Sequence, residues 1–377
     1  MSLDLIAIKT LCSDRGKLAM AVVGVAFSVI LVNVQVGLFL GLMRKAGMLV
    51  DYSQADIWVG HQRMHNVDFA RDVPRRWMHR IKAVPQVERV EPLLIGFSEM
   101  TLPSGSFESV VVVGLEPQAT MGRPWNLDSD DWRVVARCDA VIVDAFDSDK
   151  LEAPQVGELR EIGQVRVRVA DQSRGILGFL VTPYVFTTYS RATQLLHRDP
   201  RHCSYFLVRV EPGADVEAVC QQIRERIPDL DAYPAATYSR ISQQFWMMRT
   251  GIGLSFGAAT VLGLIVGLVM VGQTLQSMVL DRRSEFAALK AMGATHHQLF
   301  RILAAQSTFL ALVGGLVGLA GVIFIHQAFS TPRAPIETPW WLTSGSLGLV
   351  TLICWLAALV PYLHLRRIDP LLVLQGN

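Results

Sequence analysis

Residues 18–43 read LAMAVVGVAFSVILVNVQVGLFLGLM, a run without a single Asp, Glu, Lys or Arg. About 20 apolar residues in a helix cross a hydrocarbon core of about 30 Å, so this run is long enough to span a bilayer. Three further uncharged stretches follow, at residues 250–280, 302–332 and 338–365, and each passes the same length test. The chain of 377 residues is 51% hydrophobic and only 18% charged, with a mean hydropathy of +0.33, whereas soluble domains carry about 25% charge. A membrane protein with four transmembrane helices is expected. A disordered chain, a small disulfide scaffold and a collagen-like fibre are excluded.

The first run is too long for the roughly 7–15 apolar residues of a secretory signal, and no small-x-small cleavage site closes it. Orientation follows from basic residues in the short connecting segments. Lys9, Arg15 and Lys17 precede the first run; Arg282, Arg283, Lys290 and Arg301 lie between the second and third; Arg366 and Arg367 follow the fourth; only Arg333 separates the third from the fourth. Both termini are therefore expected in the cytoplasm. The expected layout is a cytoplasmic N-terminal segment (residues 1–17), a first span (18–43), an outer domain (44–249), a second span (250–280), a cytoplasmic loop (281–301), a third span (302–328), a short outer loop (329–341), a fourth span (342–365) and a cytoplasmic tail (366–377). A net charge of +2 suggests neither nucleic-acid binding nor electrostatic docking on a membrane surface.

The outer domain is large enough for its own core. Residues 55–60 read as a strand, 74–84 as a helix with Pro74 in its first turn, and 87–95 as a strand. The order returns with a strand at 205–210, a helix at 215–227 entered from Pro212-Gly213 and capped by Asp215, and a strand at 230–233. The helix ends match in wording, Val84-Pro85-Gln86-Val87 beside Ile227-Pro228-Asp229-Leu230. Two β-α-β units at the two ends suggest a split, ferredoxin-like sheet interrupted by a β-rich insert over residues 116–202. Residues 107–113 belong to the main sheet, because a continuous Val run suits a strand covered on both faces. The fold class is thus α+β: four membrane helices with a mixed α/β extracytoplasmic domain between the first two. Cys138, Cys203 and Cys220 fall in that domain, and two readings stand for them, one disulfide or small buried thiols.

Catalytic signatures are missing. His61 and His65 are spaced like helical metal ligands, but they follow a strand and lack the Glu of a zinc-peptidase motif. His296-His297 and His202-Cys203 have no second half. There is no Gly-x-Ser-x-Gly elbow and no phosphate loop, since Gly16-Lys17 is followed by Leu18. The chain is expected to be no enzyme and to need no cofactor or metal. The spans carry no formal charge, which disfavours proton- or ion-coupled transport. Their polar residues, Asn33, Gln35, Gln273, Gln306 and His326, suit hydrogen bonds between helices, and the small pairs Gly37/Gly41, Gly253/Gly257, Gly263/Gly267 and Gly314/Gly318 suit close packing.

The second span runs on into Asp281-Arg282-Arg283-Ser284-Glu285-Phe286-Ala287-Ala288-Leu289-Lys290-Ala291-Met292-Gly293-Ala294-Thr295. Phe286, Leu289 and Met292 recur at helical spacing, and Gly293 offers a stop. A short amphipathic helix beneath the membrane is expected. Its outer face serves either as an interfacial anchor or as a docking surface.

This string, directly after the second of four spans, resembles the coupling helix of MacB-like and FtsX-like ABC permeases. The likeness extends to an amphipathic N-terminal segment (Leu3, Ile6, Ala7, Leu11), the one-plus-three arrangement of spans around a large outer domain, and the tail Arg366-Arg367-Ile368-Asp369-Pro370-Leu371-Leu372-Val373-Leu374. Within that family, Ala55-Asp56-Ile57-Trp58, Gly122-Arg123-Pro124-Trp125, Ala140-Val141-Ile142-Val143-Asp144 and Pro183-Tyr184-Val185-Phe186-Thr187 are most similar to DevC-type glycolipid-exporter permeases. The resemblance implies a homodimer in a bacterial inner membrane with a periplasmic domain. It also implies a separate ABC ATP-binding subunit, a membrane-fusion adaptor and an outer-membrane channel. By the same resemblance Arg283, Glu285, Phe286, Leu289, Lys290, Gly293 and Ala294 couple to the ATPase. The alternative within the family is an FtsX-like regulator of a periplasmic cell-wall hydrolase.

Overall fold

The computed structural model describes residues 14–129, 131–137 and 140–367. The N-terminal Leu3, Ile6, Ala7 and Leu11, the tail from Ile368 and Cys138 lie outside the described residues. Two compact units are present, one holding Leu42–Ile252 and the other the flanking sequence up to Gly41 and from Gly253. The first helix, α1 (Arg15–Asp51), belongs to both by its length.

The unit Leu42–Ile252 holds β1 (Ile57–His61), β2 (Val73–Pro74), α2 (Trp77–Lys82), β3 (Val87–Thr101), β4 (Phe107–Leu115), α3 (Val134–Arg137), β5 (Ala140–Asp144), β6 (Leu159–Ile162), β7 (Val165–Ser173) and β8 (Tyr184–Thr188). After these come α4 (Tyr189–Leu195), β9 (His202–Cys203), β10 (Tyr205–Val210), α5 (Val216–Arg226), β11 (Leu230–Pro234) and α6 (Ala235–Arg249). Nine strands form one sheet in the order β11-β1-β10-β3-β4-β8-β5-β7-β6. The segments β1-α2-β3 and β10-α5-β11 are the two β-α-β units, and their four strands stand side by side with antiparallel pairing. Strand β6 pairs with β10's neighbour β3 at Met100 and Thr101, so the six strands from β3 round to β6 close on themselves and leave no open edge there. The insert is therefore continuous with the main sheet, joined through the 15-residue β3, which runs past the expected end at residue 95.

Side chains alternate along each strand between two cores. Ile57, Val59, Val110 and Val112 face one, with Ile81 of α2 and Val219 and Ile223 of α5. Trp58, Val111 and Val113 face the other, with Tyr238 of α6. Both faces of β4 are covered, as its Val run requires. Asp215 caps α5 by accepting from the amides of Glu217 and Ala218, and Gly213 at φ +86° closes the turn before it. Helix α2 begins at Trp77, later than expected, because Val73 and Pro74 pair with Cys203 and His202 instead. Cys203 and Cys220 are buried free thiols, so these two do not form the disulfide.

The flanking unit holds α1, α7 (Ile252–Asp281), α8 (Arg283–Ala291), α9 (His296–Phe329) and α10 (Trp340–Arg367). The four long helices are each long and apolar enough to cross a membrane. Glycines bring them together. A Cβ on Gly314 or Gly318 of α9 would fall within 2.5 Å of Val25 Cβ and 2.7 Å of Val29 Cβ, and one on Gly263 of α7 within 2.6 Å of Leu31. Ser28 Oγ donates to the Gly263 carbonyl at 2.9 Å, and Asn33 Nδ2 donates to Ser346 Oγ of α10 at 2.8 Å. His326 bonds the Ile336 carbonyl at 2.8 Å, which fastens the loop between α9 and α10.

One buried acid stands out in the unit Leu42–Ile252. Asp68 is 5% exposed and accepts from the Tyr184 hydroxyl at 2.5 Å, beside a chain in which Tyr238 donates to Tyr205 and Tyr205 to the Asn66 carbonyl. Burial raises its carboxyl to about 6, and the Tyr184 hydrogen bond only partly opposes this. A folded-state value above the unfolded one, about 3.9, means that the folded protein holds the proton more tightly between those limits. Stability should therefore fall as pH rises from about 4 through 6 and carry the full cost above that. Asp68→Asn, which keeps an acceptor for Tyr184, should raise the unfolding temperature of the protein at pH 7.5 and flatten its fall between about pH 4 and 6. Unchanged pH dependence in thermal unfolding would refute this.

Candidate functional site

The loop between α7 and α9 is a built corner. Helix α7 ends at Asp281, and Arg282 leaves helical geometry at φ −113° and ψ 26°, so α8 is a separate helix and not the continuation of α7 that the sequence suggests. The helix is too short to be stable by propensity alone, so its stability comes from packing. Phe286 and Ala287 are buried at 7% and 0%. Phe286 shares a core with Met278 of α7, Leu299 and Leu303 of α9 and Leu365 of α10, and Leu289 packs against the same core. Burying an aromatic ring to this extent contributes roughly 2–3 kcal/mol.

Lys290 also turns inward. Its ammonium donates to the carbonyls of Leu365 at 3.5 Å and Arg366 at 3.2 Å, at the C-terminal end of α10, where the helix dipole favours a cation. The end of α8 is a Schellman motif. The Gly293 amide donates to the Lys290 carbonyl at 3.1 Å and the Ala294 amide to the Leu289 carbonyl at 3.0 Å. Gly293 sits at φ +93°, a conformation that costs any residue with a Cβ. Two residues on, Thr295 caps α9 in a capping box: its hydroxyl accepts from the Gln298 amide while the Gln298 side chain accepts from the Thr295 amide. The turn from α8 into α9 is thereby satisfied at both helix ends.

The other face of α8 is open. Arg283, Ser284, Glu285, Ala291, Met292 and Gly293 are exposed, Met292 at 77%. Glu285 meets Arg282 at 3.3 Å one turn back, a surface pair that contributes at most about 1 kcal/mol and leaves the carboxylate accessible. At the start of the corner, Asp281 pairs with Lys17 of α1. The seven residues singled out in sequence thus divide by face. Phe286, Leu289 and Lys290 bind the corner to the helices around it, Gly293 and Ala294 make its turn, Glu285 faces outward, and Arg283 is exposed at the first position of the helix, on another side from Glu285. The sequence pattern did not reveal Asp281–Lys17 or the Thr295–Gln298 box, although Thr-x-x-Gln before an apolar run is a legible cap signal. Among the described residues no group of His, Cys, Asp and Glu side chains is placed to hold a metal ion.

Comparison with known proteins bears on this corner and on the unit Leu42–Ile252. The model of the MacB-like periplasmic core domain matches residues 18–226, and that of the FtsX-like permease C-terminal region matches residues 257–370, which contain α8. The macrolide export ATP-binding/permease protein MacB of Shewanella sp. (strain W3-18-1) is 24% identical over 308 residues, covering 77% of this chain and 47% of that protein. An uncharacterized ABC transporter permease of Methanocaldococcus jannaschii is 23% identical over 184 residues, covering 46% of each. The crystal structure of the periplasmic region of MacB from Actinobacillus actinomycetemcomitans aligns with 50% of this chain and 92% of that one, at 10% identity and a TM-score of 0.37. The chain spans less than half the length of these two curated relatives. With one family model covering more than half of its length and a second covering three of its four long apolar helices, the chain belongs to the MacB/FtsX-like family of ABC transporter permeases.

Proposed function

We propose that this chain is the permease subunit of an ABC exporter for a lipid, glycolipid or other amphipathic substrate, driven by a separate ATP-binding subunit that docks on α8. The observation that carries the reading is the division of α8 into two faces. Glu285 and Arg283 offer a partner charge-assisted hydrogen bonds, while Phe286, Leu289 and Lys290 on the inner face pass a displacement of α8 to α7, α9 and α10. Helix α1, paired to the corner through Lys17 and continuous from Arg15 to Asp51, leads into the unit that would lie outside the membrane. Closure of two ATPase subunits on ATP would then move that outer unit, and substrate would be handled at or beyond the outer leaflet. Spans without formal charge support this reading, since they offer no ionic path through the bilayer.

On the same reading both termini are cytoplasmic, the outer unit is periplasmic, and a membrane-fusion adaptor and an outer-membrane channel complete the assembly. We read the four-strand order β11-β1-β10-β3 with its two crossing helices as the split, ferredoxin-like sheet. A homodimer is supported by the apolar side of α7, where Leu254, Leu262, Ile265 and Val269 are exposed around Gly257.

Glu285→Lys should reduce permease-dependent stimulation of the partner ATPase at least tenfold in reconstituted membranes while leaving the amount of inserted protein unchanged; normal stimulation would refute the docking face. Phe286→Ala, which removes a buried ring, should lower stability in detergent by about 3 kcal/mol, whereas Glu285→Ala should change it by less than about 1 kcal/mol. Equal thermal shifts in the two variants would contradict the two-faced helix. Co-purification from native membranes should bring down an ATP-binding subunit and an adaptor, and recovery of a cell-wall hydrolase in place of the adaptor would replace export with regulation.

A further inference from the structure

Resting on the proposed function, which puts the unit Leu42–Ile252 outside the membrane, we propose that a cleft between the loop after β1 and the last turns of α6 holds the headgroup end of an acidic lipid from the outer leaflet. The cleft measures about 400 Å³ and is lined by residues 61–66, Phe69 and Arg71 of the loop, by Tyr205 of β10 and by Phe245 of α6. That volume is at the small end of the roughly 300–1,000 Å³ that drug-sized ligands occupy, so it takes a headgroup with the start of its chains and not a whole lipid.

The loop is held in place from below. The Tyr205 hydroxyl donates to the Asn66 carbonyl at 2.9 Å, Asn66 Oδ1 accepts from the Asp68 amide at 2.6 Å, and the Arg63 amide donates to the Asp231 carboxylate at 2.5 Å. Arg63 stands at φ +61°, in the left-handed region, a cost that recurs where a binding surface holds its shape.

Two accessible surfaces meet in the cleft. One is cationic. Arg63, His65 and Arg71 are exposed, and among the described residues none of their side chains makes a hydrogen bond or ion pair. No acidic side chain lines the cleft. The acids close by in sequence are engaged elsewhere, Asp68 with the Tyr184 hydroxyl and Asp72 with Arg198. Two guanidinium forks beside an imidazole select a phosphate or carboxylate. The other surface is aromatic. Phe69 is 53% exposed and lies 5.7 Å from the ring of Phe97, itself 41% exposed. Trp246 backs both Phe69 and Phe245, at 5.9 and 5.6 Å between ring centres. Exposed rings in contact with one another, unlike single scattered ones, mark a surface that meets something apolar.

The course of the chain names the source of the ligand. Helix α6 carries Phe245 and ends at Arg249, and α7, long and apolar enough to cross a membrane, begins at Ile252. The chain from Phe245 to Ile252 spans at most about 25 Å even when fully extended. On the proposed topology the cleft is therefore within reach of the outer headgroups, where aromatic rings sit at the interface and basic side chains attract acidic lipids. An acidic protein segment would meet the same cations, but the exposed rings and the short tether to the bilayer favour lipid.

The test is photo-labelling of the full chain in phosphatidylcholine nanodiscs doped with phosphatidylglycerol or phosphatidylcholine that carries a diazirine near the glycerol, with adducts mapped by mass spectrometry. Labelling of residues 61–71 and Phe245 should saturate with the phosphatidylglycerol probe and exceed that by the phosphatidylcholine probe roughly tenfold. Dodecyl phosphate should compete, and dodecyl maltoside should not. Arg63→Gln with Arg71→Gln should cut labelling about tenfold, and Phe69→Ser should also reduce it. All three positions are exposed, so these variants should unfold at the wild-type temperature. Equal labelling by the two probes, equal competition by dodecyl maltoside, or wild-type labelling in the double variant overturns the proposal. Displacement by polyglutamate at lower concentration than by dodecyl phosphate also overturns it, in favour of an acidic protein segment. Glu285→Lys should label as the wild type does. Absent labelling with a defective Glu285→Lys therefore removes the cleft alone, and selective labelling with a fully coupled Glu285→Lys removes the permease reading alone.

Discussion

Inside a bilayer no water is available to satisfy backbone amides and carbonyls, so a crossing must be a helix or a strand of a closed barrel, and the four long apolar segments here are helices. Lipid also removes the hydrophobic drive between helices and leaves close backbone approach to hold them together. The chain meets this constraint along α1. Gly24 receives Met270, Gly263 receives Leu31, Gly267 receives Ser28, and Gly314 and Gly318 receive Val25 and Val29. Of the candidate spans α1 has the largest buried share, 44% of its most apolar window against 17% for α7. The remaining helices are arranged against α1, and the corner at α8 is arranged against their ends. A side chain at any of these glycines would separate helices that two polar contacts, Ser28 to Gly263 and Asn33 to Ser346, register against one another.

Much of this could be read from the residues because the deciding physics is local. Each uncharged run falls within a long apolar helix or overlaps most of it, although α1 continues past its run to Asp51 and α9 begins before its own, at His296. Asp215 and Pro212-Gly213 mark the start of α5, the Val run marks β4, and Gly293 marks the stop of α8, since each depends on the backbone preferences of one or two residues. Long-range pairing was not legible. The extension of β3 to Thr101 and its closure with β6 depend on partners about sixty residues apart in sequence, and nothing within β3 announces them. Pro74 suggested a helix start, yet pairing with His202 in a two-residue strand took precedence.

At the candidate site, periodicity located α8 but could not tell its faces apart. Phe286 and Leu289 looked available to a partner because the sequence does not show what lies beside them; the cluster with Met278, Leu299 and Leu365 shows that they face inward. Lys290 similarly reads as a surface charge and in fact caps the end of α10. The break at Arg282 was hidden because neither Gly nor Pro marks it. What remains exposed is a patch with Glu285 and Met292 on one side of α8 and Arg283 at its first position, on a corner whose turn into α9 is hydrogen-bonded at both helix ends.

The central claim is that this patch is where an ATP-binding subunit bears on the chain. A photo-crosslinking amino acid placed at position 292, in native membranes, tests it most directly, with the adduct identified by mass spectrometry and compared with and without a non-hydrolysable ATP analogue. The account predicts one dominant adduct to an ATP-binding subunit whose yield changes with nucleotide. Adducts to lipid alone, or to proteins that bind no nucleotide, would contradict it.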